Sequence, residues 1–228
     1  MNNDYFLLLV SLSCYVIFFK AIHHAWEKGG KKIMESNNKV AGISRTSHLQ
    51  ITGIILLGLP VTIKLTGQTE FLSFPKDPDH YLILIAVFLS FFLFVVLWIF
   101  ATQKNKQHSA FSYPLNISPG AAVSYFLFRS IFLVTYEFFF RGILLFNLAI
   151  IAGIILSISV NIFLYVILHL FDNRQTIIGA IPFGIVLCWL SWETQSVWPA
   201  VIIHLIVALT YEIKTFCHFF QSPKKIIT

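Results

Sequence analysis

A chain of 228 residues that is 57% hydrophobic and only 11% charged, with a mean hydropathy of +0.79, lies far from the roughly 25% charged composition of soluble domains, and this excludes a water-soluble globular enzyme. The net charge of +6 does not point to nucleic acid, because the basic residues gather in some connections and avoid others, as they do when they orient a protein in a bilayer. Phe alone supplies 24 residues, and the apolar residues come in long runs instead of amphipathic stripes, so the expected fold is all-α, a polytopic transmembrane helix bundle.

The runs cover residues 5–19, 51–67, 80–101, about 119–148, 150–171, 177–191 and 198–219. Most approach the ~20 residues that cross a hydrocarbon core. They predict about seven spans, with six to eight open. The opening MNNDYFLLLVSLSCYVIFF has no positive n-region and no small-residue cleavage site, and is read as a retained first span.

With the N-terminus outside, the 20–50 connection is cytoplasmic and carries Lys20, Lys28, Lys31, Lys32, Lys39 and Arg45, whereas TGQTEFLSFPKDPDH has only Lys76. Lys104 and Lys106 then fall inside, as does Arg174 of DNRQT; WETQSVW, without a base, falls outside. Lys214, Lys224 and Lys225 place the C-terminus in the cytoplasm. The chain divides into N-terminal spans and loops (1–118), a membrane core (119–219) and a cytoplasmic tail (220–228).

Two segments strain this count. Residues 119–148 are long for one span and contain Arg129, so a surface helix turning into a span is an alternative. Residues 177–191 are short and interrupted by Gly179, Pro182 and Gly184, which suits a kinked or partly re-entrant helix. Cys14, Cys188 and Cys217 follow no disulfide or metal spacing and read as packing residues.

Ionisable groups inside spans cost on the order of 2.5 to 3.5 kcal/mol each on insertion scales, so each asks for a partner or a function. Arg129, Glu137, Arg141, His169, His204 and Glu212 fall in the second half, and Lys64 ends the second run. Glu137 and Arg141, four apart in TYEFFFRGILLF, share a helix face and suit an ion pair, structural or catalytic. His169 ends FLYVILH, and His204 sits in VWPAVIIHLIVALTYE; a lone histidine on an apolar helix is often a packing residue. Asn161 reads as an interhelical hydrogen-bonding group, and Glu212, near Lys214, as an interfacial charge. A carboxylate, two imidazoles and a guanidinium in a dry cavity are able to activate water and stabilise an oxyanion. His169, His204 and Glu137 are also a two-histidine, one-carboxylate set of the kind that holds a divalent metal such as zinc, without an HExxH signature.

The order YEFFFRG, YVILH, SVWPAVIIH resembles the CAAX protease and bacteriocin-processing family of intramembrane endopeptidases, whose motifs EExxxR, FxxxH and HxxxN or HxxxD lie on successive membrane helices. The likeness covers roughly residues 119–215. It implies hydrolysis of a peptide bond in a membrane-associated protein or peptide, within the lipid bilayer and without nucleic acid. Glu137 matches the second glutamate, Arg141 the arginine, His169 the second-motif histidine and His204 the third-motif histidine. Tyr136 stands in place of the first glutamate, Tyr165 in place of the phenylalanine and Ala208 in place of the asparagine or aspartate.

The resemblance therefore implies catalytic positions at Glu137, Arg141, His169, His204 and Tyr136, with no cofactor required unless a metal is used. Three readings of the altered motif stay open. Glu137 takes over as base, or Tyr136 orients water for His169, or the site is a non-catalytic relic. The last corresponds to a pseudoprotease, a binding protein or a small transporter. Simple alternation of the later spans also sets His169 and His204 near opposite membrane faces.

Overall fold

The computed structural model describes residues 3–28, 39–65, 73, 85, 89, 119–172 and 174–221. Among these every regular element is helical: α1 (Asn3–Glu27), α2 (Lys39–Leu65), α3 (Pro119–Glu137), a π-helical segment (Phe138–Leu144), α4 (Leu145–Ala152), α5 (Ile154–Leu168), α6 (Arg174–Glu193) and α7 (Trp198–Gln221). Asp4–Glu27, Thr46–Lys64, Gly120–Ala152 and Thr176–Glu193 are long and apolar enough to cross a membrane, and Ile154–Leu168 and Trp198–Ile213 are shorter apolar helices. The protein is an all-α membrane bundle, as its composition requires. Of the expected span at 80–101, only residues 85 and 89 are described.

α1 and α2 run beyond their apolar stretches at 5–19 and 51–67. Hydropathy marks where a helix leaves hydrocarbon, whereas its hydrogen-bond ladder continues through helix-compatible polar residues. Gly120–Ala152 is one helical passage, so residues 119–148 do not divide into a surface helix and a separate span. α6 is likewise continuous, with Pro182 inside it.

The long passage changes character at Phe138. In the π segment backbone bonds run from i to i+5, as in the Leu145 N–H donating to the Phe140 carbonyl. α5 then supplies donors to carbonyls along this stretch. The Asn161 amide donates to Phe140 O, and the Ser157 hydroxyl donates to Leu145 O at 2.6 Å. Both side chains are buried, where an unpaired polar group costs about 1–3 kcal/mol. Asn161 also accepts from the Cys188 thiol at 3.4 Å, so it links the π segment, α5 and α6.

Gly153 reverses the chain between α4 and α5. Its φ of +81 and ψ of 161 lie in a region essentially restricted to glycine, and this allows two helices to meet across one residue.

Tyr15 and Phe18 of α1, Leu57 of α2, Tyr136, Phe139, Phe140 and Leu144 of the long passage, and Tyr165 of α5 form one core cluster. The Tyr15 hydroxyl donates to Leu164 O at 2.7 Å. α2 approaches closely at Gly53, where an added Cβ would press into the Phe132 ring and lie 2.9 Å from Phe18. Small residues at such crossings let membrane helices pack by dispersion, since lipid supplies no hydrophobic drive between them.

Candidate active site

Glu137 is the last residue of α3, and Arg141 lies one turn on, in the π segment. Both are fully buried. Arg141 Nε lies 3.3 Å from Glu137 Oε2, and the guanidinium sits over the Tyr165 ring at 4.5 Å from its centroid. The pair therefore balances its charges internally, with a cation–π contact replacing part of the lost solvation. α6 comes close at Gly184, whose missing Cβ would stand 3.5 Å from Tyr165 and 3.7 Å from Arg141 NH2.

His204, nearly two turns into α7, completes the group. Its Nδ1–H donates to Glu137 Oε1. One carboxylate oxygen thus faces an imidazole and the other a guanidinium. This geometry holds Glu137 in a single orientation.

His169 follows the last residue of α5, and its Nδ1–H donates to Asp172 Oδ2 at 2.8 Å. Tyr165, one turn earlier, has its ring near both histidines. Its ring centroid is 4.9 Å from that of His169 and 6.5 Å from that of His204. Tyr136 closes the circle at 5.7 Å from Tyr165 and 6.0 Å from His204. The alternation of spans would separate His169 from His204. His204 lies well inside its helix, and the Tyr165 ring extends back from His169, so the two histidines flank one aromatic side chain.

The Tyr136 hydroxyl is buried and has no hydrogen-bond partner among the described residues, and the same holds for the terminal nitrogens of Arg141. Buried polar atoms of this kind call for a water or a substrate group. Ala208, one turn beyond His204, brings no side-chain donor.

Among the described residues no three His, Cys, Asp or Glu side chains come together as a group able to hold a metal ion. His169, His204 and Glu137 do not form such a group among the described residues.

Asp172 had no signal in the sequence beyond lying three residues after His169. Glu212 pairs with Arg129, Nε to Oε1 at 2.9 Å, and accepts from the Tyr125 hydroxyl at 3.1 Å, which ties α3 to α7. Lys64 lies 3.7 Å from Asp4 and donates to Asn147 Oδ1 at 3.3 Å. Cys14 and Cys188 are buried free thiols.

Residues 119–210 match the family model described as type II CAAX prenyl endopeptidase Rce1-like. The likeness read from the three motifs is thus borne out over the stretch that carries them. No curated protein and no solved structure matches the chain.

Proposed function

We propose that the chain is an intramembrane endopeptidase that hydrolyses a peptide bond of a membrane-associated protein or peptide through water activated by glutamate and histidine. The observation that carries this reading is Glu137, buried and held between Arg141 and His204, beside a tyrosine hydroxyl that lacks a partner among the described residues. The match to a CAAX endopeptidase family supports the reaction class.

Both Glu137 oxygens face cationic or N–H groups, which favours a positioning role for this carboxylate and His169 as proton acceptor. Water bound near the Tyr136 hydroxyl gives its proton to His169 Nε2 as its oxygen bonds to the scissile carbonyl carbon. The carbonyl electrons move to oxygen, and a His204 imidazolium flanked by Glu137 stabilises the resulting oxyanion. Collapse breaks the C–N bond, and His169 returns the proton to the departing amine. Arg141 holds Glu137 in place. No step uses a metal. The partners are the substrate and the bilayer, with the N-terminus outside and the C-terminus cytoplasmic.

The test is cleavage of a peptide library by the purified protein in lipid nanodiscs, beside Glu137→Ala and His169→Ala. Cleavage lost in both variants is the expected result. Equal cleavage by all three proteins overturns the assignment. A second reading, a non-enzymatic membrane protein that binds partners or couples transport to protons, draws on Tyr136 and Ala208 in place of polar motif residues. It predicts altered binding or transport on Glu137→Ala without any cleavage by the parent chain.

A further inference from the structure

Resting on the reading of His169 as proton acceptor, we propose that Asp172 is a positioning residue of the site, a carboxylate that replaces from the α5–α6 turn the acid absent at Tyr136. Its Oδ2 fixes the His169 ring with the proton on Nδ1, so the neutral imidazole carries its lone pair on Nε2, the nitrogen that accepts a proton from water.

The backbone brings the two side chains together. After α5, His169 N–H donates to Val166 O at 2.9 Å, Leu170 N–H to Ile167 O at 3.2 Å and Asp172 N–H to His169 O at 2.9 Å. The chain wraps into a tight turn that returns Asp172 to the imidazole. Main-chain hydrogen bonds run through this turn at all three positions. The 2.8 Å contact to Nδ1 is a charge-assisted hydrogen bond of the stronger kind, and Tyr165 confines the ring from another side.

A surface pair on the same chain shows what an incidental contact looks like. His23 and Glu27 are 3.7 Å apart with side chains 46% and 56% exposed, whereas His169 and Asp172 are 23% and 13% exposed. The closer parallel is His204 with Glu137, where a carboxylate again engages Nδ1. In both site histidines Nδ1–H is directed at a carboxylate, each histidine having its own acid.

The experiment compares the parent chain with Asp172→Asn, Asp172→Glu, Asp172→Ala, His169→Ala and Asp172→Ala combined with His169→Ala, all in nanodiscs. In Asp172→Asn, kcat is expected to fall on the order of 10²-fold or more, within the range for losing acid–base function, while KM changes by less than about twofold. Asp172→Glu recovers part of the loss. Asp172→Ala adds little once His169 is gone, as coupled residues require. Ring-nitrogen NMR of histidine-labelled protein, with the His169 signal assigned by its loss in His169→Ala, reports the Nδ1–H tautomer in the parent and a mixture in Asp172→Asn.

Parent-like kcat in Asp172→Asn, or additive losses in the double variant, overturns the proposal. A parent chain that cleaves nothing overturns the hydrolytic reading instead. The tautomer measurement then still decides whether Asp172 holds the ring, and an unchanged His169 signal in Asp172→Asn overturns that hold.

Discussion

His204 donates through Nδ1 to the Glu137 carboxylate across 67 residues of sequence, and this contact fastens α7 to the long membrane passage where its α-helix becomes a π-helix. The same carboxylate faces Arg141. Helical turns of α3, the π segment and α7 therefore meet on one acid.

Replacing Glu137 separates chemistry from stability. Glu137→Gln keeps the shape and is expected to lower cleavage on the order of 10²-fold or more. Glu137→Ala also strands the buried Arg141 charge, with a stability loss of about 3–5 kcal/mol. Cleavage rates and thermal unfolding in nanodiscs check the two effects. Equal unfolding temperatures for Glu137→Ala and the parent would contradict the buried pair.

Arg141→Lys retains the charge but loses the planar group above Tyr165. The expected cost is about 1–2 kcal/mol, drawn from the cation–π contact, together with reduced cleavage as Glu137 loses its fixed orientation. A variant with parent stability and parent rate would show that the guanidinium shape is irrelevant.

Gly153→Ala forces a side chain onto a φ of +81. No neighbour lies within 4 Å of the new Cβ, so the strain is purely in the backbone, about 1–3 kcal/mol. Gly184→Ala, in contrast, makes only ordinary contacts with Tyr165 and Arg141, and gains up to about 1 kcal/mol of helix propensity. Opposite shifts of the two unfolding midpoints are the expected outcome, and shifts of the same sign contradict it.

Chelation separates the two chemistries weighed for the site. Cleavage is expected to continue unchanged in EDTA, because the proposed proton acceptor is His169 and the stabilising groups are His204, Glu137 and Tyr136. Loss of cleavage in EDTA, restored by added zinc, would reassign the histidines as ligands.

The bilayer architecture was legible because insertion requires long apolar runs, and the Glu137–Arg141 pair because i, i+4 spacing is local. The π segment was not legible. Asn161 reaches back from a later helix to the Phe140 carbonyl inside it, and a run of Phe and Leu gives no sign of that. The partners of Glu212 among the described residues, Arg129 and Tyr125, lie more than 80 residues earlier and could not be read from Lys214 nearby. Distances of that kind follow from how helices pack, not from local sequence pattern. The order of His169 and His204 suggested separation, since alternation counts ends of spans and not how far a residue lies inside them. Asp172 escaped notice because a loop aspartate before a helix is common, and only the turn reveals its contact with His169.

α5 contains 15 residues, a length of about 22 Å, against a hydrocarbon thickness of about 30 Å. A short span draws the lipid headgroups inward around it, thinning the bilayer locally. Thinning of that kind around α5 would bring the water boundary nearer to His169, and the proposed hydrolysis would then draw its water over a shorter path than an undeformed membrane imposes.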